Sequence, residues 1–202
     1  MNTQNQQRAL PEPSSARSRS LIDKEPALIV VTGIMAAGKS TIARLLAQQF
    51  ARGVHVPADM LQHMIVSGGE WVKEPGEPGG EEARQLRLRL KHMCLLGRSF
   101  LEAGFTVVLD DIILGERWQH LQADLQGVPF SVVVLAPRVD VVAKLRDPGR
   151  AMPLVGEEWA KYLDHVLRTT MAECGLWIDN SEQTPEETVY QILQSLWFEQ
   201  HV

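Results

Sequence analysis

Eight residues, Gly33-Ile-Met-Ala-Ala-Gly38-Lys39-Ser40, satisfy the pattern G-x-x-x-x-G-K-[ST]. Glycines at both ends permit a turn whose backbone N–H groups converge on phosphate oxygens, backed by the positive end of the helix that follows. Lys39 supplies a point charge for the β- and γ-phosphates of a nucleoside triphosphate, and the Ser40 hydroxyl suits a Mg²⁺ ligand. The expected nucleotide-contacting set is Gly33, Ala36, Ala37, Gly38, Lys39, Ser40 and Thr41, with Arg138 after a later strand. A dinucleotide fingerprint does not fit, because position 35 is Met where its second glycine belongs.

Acidic and basic residues at the ends of apolar runs supply the remaining chemistry. Asp110 and Asp111 follow "FTVVL". A carboxylate there can support the Mg²⁺ shell, usually through water, or face an acceptor pocket. Side chains alternate along a strand, so the two aspartates point oppositely, and the pattern does not say which faces the metal. Asp59 follows "GVHVPA" and opens "DMLQHMIV". Two readings stand side by side: an N-cap, or a general base within reach of an acceptor hydroxyl. Arg138, Arg146 and Arg150 cluster around the fourth strand and the loop after its helix, "RDPGRAMP", whose Pro and Gly suit a hinged lid. Guanidinium forks on such a lid can stabilise a migrating phosphoryl group, against the alternative of a solvated charge cluster. Trp71 is either a wall of the acceptor pocket or an anchor for its own loop. The six histidines show no paired metal spacing and read as structural or surface groups.

The elements that must hold these residues alternate between strand and helix. Ala27 to Thr32 is an apolar, β-branched run suited to a parallel strand buried on both faces. Lys39 to Phe50 repeats apolar residues at helical spacing. Further strands are expected at "GVHVPA", "FTVVLDDIIL", "FSVVVLAP" and "GLWID", with helices at 81–103, 116–126, 138–145 and 157–173. Thr184-Pro185-Glu186-Glu187 reads as a capping box opening a last helix. "SGGEWVKEPGEPGGEE" must be a long loop, and long loops in compact domains are commonly functional. Alternation of this kind gives a parallel sheet covered on both faces, with ligands beyond the carboxyl ends of its strands. The phosphate loop, Asp59, Asp110, Asp111, Arg138 and Asp179 all fall at or just after such ends.

Composition narrows the function classes. With 202 residues, 45% hydrophobic and 22% charged, the chain suits one soluble α/β domain. Residues 26–202 are expected to form it, preceded by a polar, disordered tail over 1–25. A net charge of -5 does not attract nucleic acid. No apolar run approaches the ~20 residues of a membrane span. Two cysteines without metal spacing, Cys94 and Cys174, fit a reduced cytoplasmic setting.

"GIMAAGKSTIARLL", "HVPADML", "LDDIIL" before "ERW", and "RDPGRAMPLVG" leading to "GLWIDNSEQTPEETVYQIL" together resemble the chloramphenicol phosphotransferase-like family of small P-loop kinases. The resemblance spans residues 27–200. It implies a three-layer P-loop NTPase fold with a five-stranded parallel sheet in the order 2-3-1-4-5. It further implies ATP with Mg²⁺, and transfer of the γ-phosphate to a hydroxyl of a small antibiotic-, sugar- or metabolite-like acceptor. By position it places the general base on Asp59, the phosphate-binding lysine on Lys39, and lid arginines on Arg146 and Arg150. The Glu/Pro/Gly-rich loop from Ser67 to Glu82 is where acceptor specificity would reside. A nucleotide or polynucleotide kinase and a non-catalytic ATP-binding regulator are the alternatives. The expected state is a monomer or homodimer. A GTPase is disfavoured, since "APRVD" stands where Asn-Lys-x-Asp would follow the fourth strand.

Overall fold

The structure, a computed structural model, describes residues 25–72, 76–146 and 156–197, the side chains of 144–146 aside. The expected tail lies outside the described residues, Glu25 excepted. Five strands, β1 (Leu28–Gly33), β2 (Gly53–Pro57), β3 (Thr106–Asp110), β4 (Ser131–Leu135) and β5 (Leu176–Ile178), form one sheet. Every pairing is parallel and the order is β2-β3-β1-β4-β5, as the resemblance implied. All of β1 and β3 is buried, as central parallel strands require.

Among the described residues six helices flank the sheet: α1 (Lys39–Ala47), α2 (Ala58–His63), α3 (Gly80–Glu102), α4 (Glu116–Asp124), α5 (Gly156–Thr170) and α6 (Pro185–Trp197). A π-helical segment, Val141–Arg146, stands in place of the regular helix expected after β4. α1 contacts β2, β3 and α6, whereas α3 contacts β2, β3, α2 and α4, so the sheet is covered on both sides. The core runs through Ile29, Val31, Ile42, Leu46, Leu90, Met93 and Leu109, all at most 2% exposed. Among the described residues no helix is long and apolar enough to cross a membrane.

Register decides where the chemistry collects. Asp110 pairs with Val31 of β1 and Pro57 of β2, and Gly33 pairs with Leu135 of β4. The carboxyl ends of four strands therefore lie level, each handing its next residues to one edge of the sheet.

Two local structures depart from, or agree with, the sequence pattern for visible reasons. The third strand stops at Asp110 rather than running through "IIL". The Asp111 carboxylate accepts the Ile112 N–H at 2.8 Å, and Thr32 Oγ1 accepts the Ile113 N–H at 2.9 Å. Side chains thus satisfy these donors and the sheet ladder ends. At α6 the capping box forms as expected: Glu187 N–H donates to Thr184 Oγ1 at 3.2 Å, and Thr184 N–H to Glu187 Oε2 at 2.8 Å.

Candidate active site

The phosphate loop is shaped by its glycines. Gly33 has φ +145°, and a Cβ there would sit 2.3 Å from the Leu135 carbonyl oxygen, so no side chain fits. Gly38 caps α1 at φ 95°, again in the left-handed region that favours glycine. Ala36 is also left-handed, at φ 56°, a mildly strained state for a residue with a Cβ. Asn180, buried after β5, donates from Nδ2 to the Ala37 carbonyl at 3.0 Å and ties the loop to the far side of the sheet. α1 begins with no side-chain cap and no acidic residue in its first turn. Its first N–H groups, together with Lys39 and Ser40, are a donor set suited to an anion. Lys39 Nζ donates to the Ile34 carbonyl at 2.9 Å.

Beside the loop, the two adjacent aspartates take opposite roles. Asp110 Oδ2 accepts the Ser40 hydroxyl at 2.6 Å, and its Oδ1 meets His55 Nε2 at 2.8 Å. A hydroxyl and a carboxylate make the kind of small oxygen set that Mg²⁺ uses when substrate phosphates and water complete its shell. Asp111, expected with Asp110 as a metal candidate, is instead enclosed by cations. Arg89 Nη2 donates to its Oδ1 at 2.7 Å, and Arg117 Nη2 donates to its Oδ2. Only 2% of the Asp111 side chain is exposed. Burial pushes its carboxyl up, but Arg117 and Arg89, the Ile112 N–H and the Lys39 charge together hold it below the ordinary carboxylate value. With both oxygens taken by guanidiniums, it is a counter-ion for two arginines rather than an open ligand.

Asp59 stands in the first turn of α2, which starts from Pro57 without a side-chain cap. Of the two readings offered by sequence, the cap is not the one its side chain follows. The carboxylate is 63% exposed, and Arg89 Nη1 donates to its Oδ1 at 3.3 Å. Arg89, only 7% exposed, thus bridges Asp59 to Asp111. The four groups Asp59, Arg89, Asp111 and Arg117 balance two negative charges against two positive ones.

The loop before α3 is fastened by a pair of buried amides. Gln85 Oε1 accepts from Glu70 N at 2.8 Å and from Gln62 Nε2 at 2.9 Å, while Gln85 Nε2 donates to the Gly68 carbonyl at 2.7 Å. Trp71 lies against His63 with ring centroids 5.0 Å apart and keeps 40% of its surface exposed. It both leans on α2 and faces solvent. Met60 and Met64 are likewise exposed on α2, next to Asp59.

Other expected residues lie apart from this cluster. Arg138 donates to Glu182 at 2.5 Å, and its backbone N–H donates to Ser181 Oγ at 2.8 Å. A cleft of about 220 Å³ lined by Gly38, Thr41, Ile42, Asn180, Gln183 and Pro185 opens beside the phosphate loop. The Arg146 side chain and all of Arg150 lie outside the described residues.

A scan of protein families matches residues 26–197 to "chloramphenicol phosphotransferase-like protein". The chain belongs to the chloramphenicol phosphotransferase-like family. Among curated proteins none matches it. Solved structures share its fold. The tunicamycin resistance protein of Deinococcus radiodurans is 18% identical with a TM-score of 0.63, over 85% of this chain and 96% of that one. Shikimate kinase from Acinetobacter baumannii, in complex with shikimate, is 18% identical with a TM-score of 0.62, over 88% and 96%. The Mycobacterium tuberculosis APS kinase in complex with AMPPNP and APS is 15% identical with a TM-score of 0.57, over 84% and 96%. Family and neighbours together support a small-molecule kinase in general terms.

Three residues of this family member escaped the sequence reading. His55 has no partner within its own segment, and its contact with Asp110 comes only from the β2–β3 pairing. Arg89 and Gln85 lie on α3 among other polar residues, and nothing in helical spacing distinguishes a buried arginine from an exposed one. Only Arg117 carried a signal, as part of "ERW" after the aspartate pair.

Proposed function

We propose that this chain is an ATP- and Mg²⁺-dependent O-phosphotransferase that acts on a hydroxyl group of a small molecule. One observation carries the reading: the Ser40 hydroxyl meets Asp110 beside a phosphate loop, while an exposed carboxylate, Asp59, is held by Arg89 near the same sheet edge. Bound ATP with Mg²⁺ would supply an electrophilic γ-phosphoryl group. The loop from Gly33 to Thr41 cradles phosphates through its backbone, and Lys39 offsets their charge. Ser40 and Asp110 would hold the metal, with His55 fixing the carboxylate's orientation. The cleft between Thr41 and Gln183 receives the nucleoside, with Arg138 assigned to the same nucleotide-contacting set.

On the other side Asp59 accepts the proton of the acceptor hydroxyl. Arg89 keeps that carboxylate in place, and Asp111 anchors Arg89 and Arg117 in turn. Arg146 and Arg150 are assigned to a lid over the migrating group. Met60, Met64 and Trp71 suit a small, largely uncharged acceptor better than a polyanion, whose approach the net charge of -5 also opposes. A protein that works in the cytoplasm, as a monomer or homodimer, fits this role.

ATP consumption by the purified chain with Mg²⁺ tests the proposal, against antibiotics, sugars, shikimate-like acids and nucleosides as acceptors. Stimulation by one class, with a phosphorylated product, is the expected result. Tight ATP binding with a basal rate that no acceptor raises would favour the nucleotide-binding regulator.

A further inference from the structure

β2 is an edge strand of the sheet, and His55 is its one ionisable side chain. β2 pairs with β3 so that His55 is level with Val108 and Pro57 with Asp110. Alternation then puts the His55 and Asp110 side chains on one face of the sheet and Asp111 on the other. α1 serves the first face, where Ser40 meets Asp110, and α3 the second, where Arg89 meets Asp111. The His55 side chain is 15% exposed and that of Asp110 only 4%. A carboxylate only accepts, so His55 Nε2 carries the hydrogen and donates it to Asp110 Oδ1 at 2.8 Å. The other oxygen, Oδ2, accepts the Ser40 hydroxyl at 2.6 Å. Two elements thereby grip Asp110, one at each oxygen. Held at one oxygen alone, a carboxylate still turns about its last bond, a broad torsion. Held at both, it does not.

We infer that His55 is a positioning residue whose N–H, acting through Asp110, sets the Ser40 hydroxyl for Mg²⁺ and so governs how far the metal aids nucleotide binding. Resting on the metal assignment of the proposed function, this role adds a residue behind the ligand set. The donors present suit the ion, since a hydroxyl and a carboxylate are hard oxygen ligands. With its hydrogen committed to Asp110, the Ser40 oxygen keeps both lone pairs for a cation. Without the His55 N–H, Asp110 is free to turn, and the Ser40 hydroxyl loses its fixed acceptor. Hydrogen-bond partners placed behind a metal ligand are typically worth about 10–100-fold in metal affinity. On this account the N–H donor matters and the bulk of the ring does not. A packing role predicts the reverse, because strand side chains contribute chiefly by how they fit their neighbours.

The test is calorimetry of AMPPNP binding to the full-length chain, once with Mg²⁺ and once with EDTA. The ratio of the two affinities measures the coupling between metal and nucleotide. His55→Phe keeps a ring and loses the donor. It should lower that ratio about tenfold or bring it close to one, with the EDTA affinity unchanged. His55→Gln, which restores an N–H at similar reach, should recover most of the ratio. In an Asp110→Ala background, His55→Phe should alter the ratio by less than about twofold, because the group it acts through is gone. His55→Leu replaces the phenylalanine variant if melting shows that variant unfolded. Equal loss in the Gln and Phe variants overturns the inference in favour of packing. Loss that persists in full without Asp110 overturns it in favour of a direct role for the imidazole. A parent that binds AMPPNP equally with and without Mg²⁺ overturns it too, there being no metal effect for His55 to set. Because no acceptor is present, a His55-dependent ratio in a protein that no acceptor stimulates would sink the kinase reading and leave this role standing. Acceptor-stimulated turnover with a ratio that His55→Phe does not move would do the reverse.

Discussion

The phosphate-loop side and the proposed acceptor side of this molecule are built on different principles. Between Gly33 and Thr41, nine consecutive residues carry the phosphate site, stiffened by a buried strand before and a helix after. The acceptor side draws Asp59 and Gln62 from α2, Gln85 and Arg89 from α3, and Asp111 and Arg117 from around the end of β3. Its shape depends on long-range ion pairs and on the amide bonds that tie residues 68 and 70 to Gln85. A contiguous site can be reused unchanged, while a dispersed one changes its specificity whenever any one element shifts. On this account the first fixes what is bound as phosphate donor, and the second fixes what receives the phosphate.

The comparison breaks if the two sides cannot be damaged separately. The largest effect should come from Lys39→Ala, with turnover falling by about 10³-fold or more and nucleotide affinity weakened as well. Its melting temperature should stay near that of the parent, since the Lys39 ammonium bonds the Ile34 carbonyl five residues earlier in the chain. Steady-state kinetics and calorimetry of ATP binding measure both arms.

Asp111→Asn should do the opposite, costing stability by about 3–5 kcal/mol because two largely buried guanidiniums lose their counter-ion. Urea unfolding reads this directly. The acid side gives a second reading. Because the folded carboxyl titrates below its ordinary value of 3.8, its contribution is complete above that value and disappears as pH falls through the lower, folded one. Unfolding free energy should therefore drop below about pH 4 in the parent, and the Asn variant should lack this component. Equal stability of parent and variant would remove Asp111 from its anchoring role.

Gln85→Leu sharpens the comparison with a smaller effect. It strips the Glu70 N–H and the Gly68 carbonyl of a partner, for a cost of about 1–3 kcal/mol. Acceptor KM should rise while ATP affinity stays put, a split that hydrogen exchange at residues 68–71 would accompany. The least affected group should be Cys94. Burial pushes its thiol up to about 12, so thiol reagents should modify it far more slowly than the half-buried Cys174.

The same division explains what could be read in the amino-acid sequence. The sheet, its helices and the phosphate loop were legible because each is announced by neighbours in the chain: apolar runs for β1 and β3, Gly38-Lys39-Ser40 for the loop, Thr184 to Glu187 for α6. Alternation along the third strand correctly separated Asp110 from Asp111, yet only packing decides which meets Ser40. The strand was expected to continue past Asp111, and side-chain acceptors on Asp111 and Thr32 ended it instead. His55, Gln85 and Arg89 were illegible for one shared reason. A polar residue on an amphipathic element becomes functional through a partner far away in the chain, and spacing along one element carries no record of that partner.

The central claim, that a separate carboxylate performs the acceptor-side chemistry, is tested most directly by Asp59→Asn. Phosphoryl transfer to the stimulating acceptor should fall by about 10²–10⁴-fold, while the ATP dissociation constant stays within roughly threefold of the parent and the melting temperature within a few degrees. Transfer at an undiminished rate, or ATP binding lost in step with transfer, would contradict it.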